Sequence, residues 1–227
     1  MCFAPEADFT AAVAVGSVGV VTLRQARARR EVIVAALPLL FAAHQFVEGF
    51  VWLGIRGEVS SGLGDAARDV YVLFAFAVLP VLVPLGFLLL EPVRQRRRWL
   101  APFVALGAAV GLFLLWHVTQ YPVQAIEHAR GIAYFTHVPG DAVAILYLVA
   151  TCGAPLLSSR PYLRWFGVIN LAGAGIAAVL SILAFESLWC LYAALASVLI
   201  LEHFRRERAA EGDQSGRSIR NSSSTTA

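Results

Sequence analysis

A histidine, a carboxylate and an indole recur one helical turn apart at His44, Glu48 and Trp52, inside the run LPLLFAAHQFVEGFVW from Leu37 to Trp52. On a helix the three form a single stripe. The rest of the run is apolar enough to cross a bilayer, where a carboxylate costs about 2.5 to 3.5 kcal/mol on insertion scales and turns to the protein interior or a wet cavity. Such a stripe could exchange protons or ligate a metal; the plainer alternative is that its polar groups only lock helices together.

The surrounding chain is that of a membrane protein. Of 227 residues 59% are hydrophobic and only 15% charged, with a mean hydropathy of +0.70. That composition excludes a soluble domain and predicts an all-α, polytopic bundle in the lipid bilayer. The sequence contains no lysine, so its formal charge of +3 comes from arginine. Retinal bound as a Schiff base, like other lysine-based covalent chemistry, is thereby excluded. No basic face interleaved with aromatics points to nucleic acid. Cys2, Cys152 and Cys190 form neither a disulfide framework nor a CxxC metal motif.

Seven apolar spans are expected, at about residues 8–23, 32–55, 70–90, 99–118, 140–157, 165–185 and 189–204. The first has its arginines after the apolar run, the reverse of a signal peptide, and reads as a retained helix. Pro80 and Pro84 predict a kinked third helix whose freed carbonyls are satisfied by neighbours. Gly107 and Gly111 give the fourth a GxxxG packing face, and the small residues of the sixth suggest a central, tightly packed helix. Residues 56–69 read as a connector, 119–139 as a short interfacial helix or loop, and 206–227 as a disordered cytoplasmic tail after a transmembrane domain of residues 1–205.

Arginine placement predicts the orientation. Segments placed inside hold Arg24, Arg27, Arg29, Arg30, Arg94, Arg96, Arg97, Arg98, Arg160, Arg164, Arg205, Arg206, Arg208, Arg217 and Arg220; those outside hold Arg56, Arg68 and Arg130. The bias puts the N-terminus outside and the C-terminus in the cytoplasm.

With that orientation the chemistry-bearing residues gather toward the outer face. Glu48 lies about 10 Å below the outer end of its helix at 1.5 Å per residue. His117 closes the fourth span there, Asp141 opens the fifth, and Glu186 and Cys190 sit one turn apart at the start of the seventh; Cys2 is also outside. His44, Glu48, His117, Glu186, Cys190 and Cys2 are therefore candidate ligands for zinc, or for copper where sulfur and imidazole dominate. Glu48 or Glu186 would then serve as general base in metal-assisted hydrolysis. Cys2 and Cys190 could also pair as a disulfide. Cys152 reads as a packed thiol, His128 and His137 as surface histidines, Glu202 and His203 as a solvated pair, and the five tryptophans as an interfacial belt.

The opening Met1-Cys2-Phe3, the segment Pro38-Leu39-Leu40-Phe41 leading to His44-Gln45, Glu48-Gly49 and Trp52, and the late Glu186-Ser187-Leu188-Trp189-Cys190 with Ala193-Ala194 and Ser197 resemble an uncharacterised family of bacterial multi-pass membrane proteins. The resemblance covers all seven spans and implies a place in the bacterial inner membrane without naming a reaction. Members commonly read Met-Cys-Phe-Ser, and Ala4 departs from that. The layout is also similar to that of alkaline ceramidase-type zinc hydrolases and microbial rhodopsins, but the HxxxH pair of the first and the lysine of the second are missing. Three functions stay open: a metal or small-ligand site with or without hydrolysis, a proton-coupled transporter, and a scaffold or sensor.

Overall fold

A computed structural model describes residues 4–128, 131–136, 141–180 and 185–224, and within them the chain is helical but for one β-hairpin. The helices are α1 (Pro5–Gln25), α2 (Val32–Ile55), α3 (Ser61–Val72), α4 (Leu79–Leu90), α5 (Arg94–Gln120), α6 (Asp141–Leu156), α7 (Pro161–Leu180), α8 (Phe185–Ala196) and α9 (Val198–Ser224). Among the described residues five helices are long and apolar enough to cross a membrane: Pro5–Gln25, Arg29–Ile55, Ser61–Leu90, Arg94–Gln120 and Pro161–Leu180. The expected fifth span is the shorter α6. The expected seventh is divided at Ser197 into α8 and α9, where the Ser197 N–H bonds the Ala194 carbonyl at 3.1 Å and its hydroxyl donates to the Ala193 carbonyl at 3.0 Å.

Helix α1 begins with Pro5 at its first position and Glu6 and Asp8 in its first turn, and ends with Arg24 in its last, all favourable to the helix dipole. Its buried residues Pro5, Asp8, Ala12, Val15, Gly19 and Thr22 are spaced by three and four, one stripe laid antiparallel on α2. At Gly19 the backbones meet: a Cβ there would lie 2.5 Å from the Leu39 nitrogen.

The third span starts earlier than expected, at Ser61, capped by the Ser60 hydroxyl, which accepts from the Leu63 amide. Instead of a simple kink it carries a π-helical stretch, Leu73–Val78, between α3 and α4. Its last turn is closed by the Leu79 N–H on the Phe74 carbonyl. The next carbonyl, Ala75, would take the N–H of residue 80 in the same pattern, and proline has none. The Tyr147 hydroxyl of α6 donates to Ala75 O instead, at 2.6 Å. Pro84 likewise frees the Pro80 carbonyl, which lies so close to Gly107 of α5 that a Cβ there would overlap it; Gly111 faces the Ala77 carbonyl in the same way. The GxxxG pair is thus the packing face it was expected to be.

Three expectations are corrected. Residues 124–128 and 131–135 are neither helix nor loop but two antiparallel strands of a hairpin, β1 (Gln124–His128) and β2 (Gly131–Phe135), with Ala125 opposite Tyr134. Helix α7 is not central: Gly167 and Gly173 pack on α6 and α8, while Ile169, Ile176 and Val179 face outward. Of the stretch after residue 205, expected to be disordered, residues 206–224 continue α9. Arg208 secures it: its Nη2 lies 2.5 Å from Glu31, its Nε donates to Gln25 O at 2.8 Å and its Nη1 meets Glu211 at 2.8 Å.

The same end of the bundle holds further paired groups. Glu91 accepts from the Ser159 and Val93 amides, Arg96 donates to the Leu157 carbonyl, and Glu207 pairs with Arg160 and His203. His203 is only 3% exposed and lies beside Phe204, so it is not the solvated residue expected. Glu202 does stay outside, on Arg206.

Gly107→Ala should separate α4 from α5 and cost at least about 2 kcal/mol, whereas Gly175→Ala, where a Cβ meets nothing within 4 Å, should leave thermal unfolding unchanged. Arg208→Ala should release the last part of α9, read as faster limited proteolysis after residue 205 with the core intact.

Candidate functional site

Helix α2 puts His44, Gln45, Glu48 and Trp52 on its buried face, at the end of the bundle that carries the hairpin. Glu48 is 0% exposed and accepts from the Gln45 side-chain amide at 3.3 Å. The His44 ring stacks on Tyr71 at the end of α3, centroids 4.0 Å apart, and touches Phe74 at 4.9 Å. Tyr71 stacks in turn on Tyr134 of β2 at 4.5 Å with planes 6° apart. A continuous column therefore runs from His44 in the bundle to the strand that covers it. Each such ring pair contributes about 0.5 to 1.5 kcal/mol beyond simple burial.

Tyr71 lies just before the π stretch and Phe74 within it, and both rings meet His44, while the Ala75 carbonyl of the same stretch accepts from Tyr147 of α6. The hairpin is held by Ile132 and Tyr134, which pack with Val51, Trp52 and Tyr71. It is also tethered through Arg56, whose guanidinium lies 5.2 Å over the Trp52 ring and 3.5 Å from Glu127 of β1.

Several polar atoms here are wholly buried. His44 Nε2, Gln45 Oε1 and Trp52 Nε1 have no hydrogen-bond partner among the described residues. Buried polar groups are nearly always bonded, and each left unmet costs about 1 to 3 kcal/mol. Asp8 of α1 is 1% exposed, and the seating of Phe9 on Gly49 and of Gly16 against Ala42 sets it level with residues 48–50 of α2. Two interior carboxylates thus share one depth.

The residues expected to converge do so only in part. His44 and Glu48 share a face, but His117 of α5 keeps to other company: its ring lies 4.8 Å from Tyr121 and 6.0 Å from Phe113, and its Nε2 is unbonded among the described residues. Among the described residues no three His, Cys, Asp or Glu side chains gather closely enough to hold a metal ion, so His44, Glu48 and His117 alone make no zinc or copper set. Cys2 and His137 lie outside the described residues, as do the side chains of Asp141, Glu186 and Cys190. Helix α8, which carries Glu186 and Cys190, packs against both α2 and β2. Cys152 is a buried thiol, as expected.

Tyr71, Tyr134 and the Gln45 amide had not been singled out as site residues. The spacing of Asp8 with Ala12, Val15 and Gly19 carried a signal for that carboxylate; nothing local announces the two tyrosines, which meet only through the hairpin. Trp52 and Trp189 are buried, and only Trp99, Trp116 and Trp165, each more than half exposed, fit the expected belt. Tyr134→Ala should remove the outermost ring of the column and speed amide hydrogen exchange across residues 124–135 by about tenfold, equivalent to one lost ring pair.

No curated protein and no solved structure matches the sequence. The model of a family of unknown function, DUF6629, matches residues 1–215. A match over nearly the whole length, hairpin and buried column included, makes this chain a member of the DUF6629 family.

Proposed function

We propose that this is a multi-pass protein of the bacterial cell membrane, N-terminus outside and C-terminus in the cytoplasm, whose buried polar face on α2 binds a small polar ligand in the outer half of the bilayer. The observation that carries this reading is the set of enclosed, unmet atoms beside Glu48: an acceptor on Gln45, a donor on Trp52 and the Nε2 of His44. A fold that needed only packing would fill these positions with apolar side chains at no loss, and often with a gain of about 1 to 4 kcal/mol. Both donors and acceptors are wanted, which suits an uncharged or zwitterionic hydrogen-bonding molecule better than a bare ion. The hairpin would then act as the cover that keeps water from the site. Metal-assisted hydrolysis gains no support from the residues described.

A second reading, proton exchange at Glu48 with transport, draws on the His44, Tyr71 and Tyr134 column as a protic path from outside. Dye-reported proton flux into proteoliposomes, lost in Glu48→Gln, would favour it over simple binding.

Two measurements test the main reading. In a background without native cysteines, Glu58→Cys should react with an impermeant maleimide on intact cells and Gln95→Cys should not; the reverse pattern overturns the orientation. Native mass spectrometry of protein taken directly from membranes should show a small-molecule adduct that is absent from Gln45→Leu/Glu48→Met. That variant should unfold at the same temperature or higher. A clear fall in its melting temperature with no adduct on the wild type would make these groups packing elements and remove the site.

A further inference from the structure

At the arginine-rich end of the bundle four guanidiniums have counter-charges: Arg27 and Arg208 with Glu211 and Glu31, Arg160 with Glu207, and Arg206 with Glu202. Arg24, Arg29, Arg30, Arg164 and Arg205 are exposed there without an ion pair among the described residues, but none of them has a second such arginine one turn away with an exposed tryptophan beside it. The remaining carboxylate between α4 and α5, Glu91, is consumed by the Ser159 and Val93 amides. The first turns of α5 are left with Arg94 and Arg98, both exposed and neither bonded to any described residue. They are one turn apart and so point the same way. Trp99 beside them is 54% exposed. Their backbone is not loose: Arg96 donates to Leu157 O at 3.1 Å and Arg97 to Leu88 O at 3.3 Å, which fixes this turn against the α6–α7 connection and the end of α4.

We propose that Arg94 and Arg98, with Trp99, bind the phosphate of an anionic phospholipid at this end of the bundle. Two guanidiniums without a counter-ion offer forked donors matched to phosphate oxygens. An exposed indole at their level suits the boundary between headgroup and acyl chain. The choice of a lipid over a soluble anion follows from that indole and from the α5 surface that continues below it through exposed Leu112, Phe113 and Trp116, which gives an acyl chain an apolar wall. This inference needs the protein to sit in a membrane but not the orientation or the ligand proposed above.

The test is a titration of the full-length protein in detergent with phosphatidylglycerol and, separately, phosphatidylcholine, with bound lipid counted by native mass spectrometry. Wild type should prefer phosphatidylglycerol, and the preference should weaken as salt rises. Arg94→Gln/Arg98→Gln should lower the phosphatidylglycerol affinity about twenty-five-fold, at roughly fivefold per arginine, while Arg206→Gln, whose guanidinium is already paired with Glu202, should not change it. Equal binding of the two lipids by wild type, unchanged affinity in the double variant, or an equal loss in the control each overturns the proposal. Inorganic phosphate binding as tightly as the lipid would overturn the lipid assignment in favour of a soluble anion. If the double variant does not fold, the single variants Arg94→Gln and Arg98→Gln carry the test, each with an expected loss of about fivefold and no loss overturning the proposal; because detergent has no sides the result is independent of the maleimide labelling.

Discussion

A backbone carbonyl inside an apolar bundle meets no water, and the two prolines of α4 leave carbonyls without their helical partners. How those groups are met organises the molecule. The Ala75 carbonyl takes the Tyr147 hydroxyl, which ties α6 to the π stretch. The Pro80 carbonyl lies on Gly107, where only a missing side chain allows the approach, and this draws α5 in. Tyr71 just before the irregular stretch and Phe74 within it both set their rings against His44, so the same segment contacts α2, α5 and α6.

The two ends of the bundle solve the problem of buried polarity differently. At the arginine-rich end the carboxylates have partners and the pairs are partly wet, so each contributes modestly and the sum holds α9 against α1 and α2. At the hairpin end the groups are dry and several are unmet among the described residues. The first arrangement also leaves His203 Nε2, Arg160 Nε and Ser159 Oγ without a hydrogen bond among the described residues, but beside ion pairs that stabilise the fold. The second is costly to the fold, and costs of that kind concentrate where a protein does something.

Much of the architecture was legible because hydropathy and charge are one-dimensional signals. Apolar runs and Gly107 with Gly111 led to most of the helices, and Glu48 with His44 stood out because ionisable groups are rare in such runs. What escaped had a shared cause. The hairpin at 124–135 is short and one strand is mostly exposed, so its pattern resembles a polar loop until Tyr134 and Ile132 find α2 and α3. Convergence of His117 with His44 could not be judged from depth alone, since depth says how far along a helix a residue lies and not which way it points. The tail looked too polar to fold, yet Arg208 reaches back to Gln25 and Glu31, residues more than 170 positions away in sequence.

The division of the tryptophans has an optical consequence. Trp99, Trp116 and Trp165 stand more than half exposed on the bundle surface, while Trp52 lies under the hairpin and Trp189 gives its N–H to the Asn170 carbonyl. Brominated acyl chains quench indoles by contact, so in such lipids the first three would darken and the emission left over would come from two interior reporters. One of those two sits within the buried polar face itself, giving the protein an intrinsic fluorophore for events there without any label.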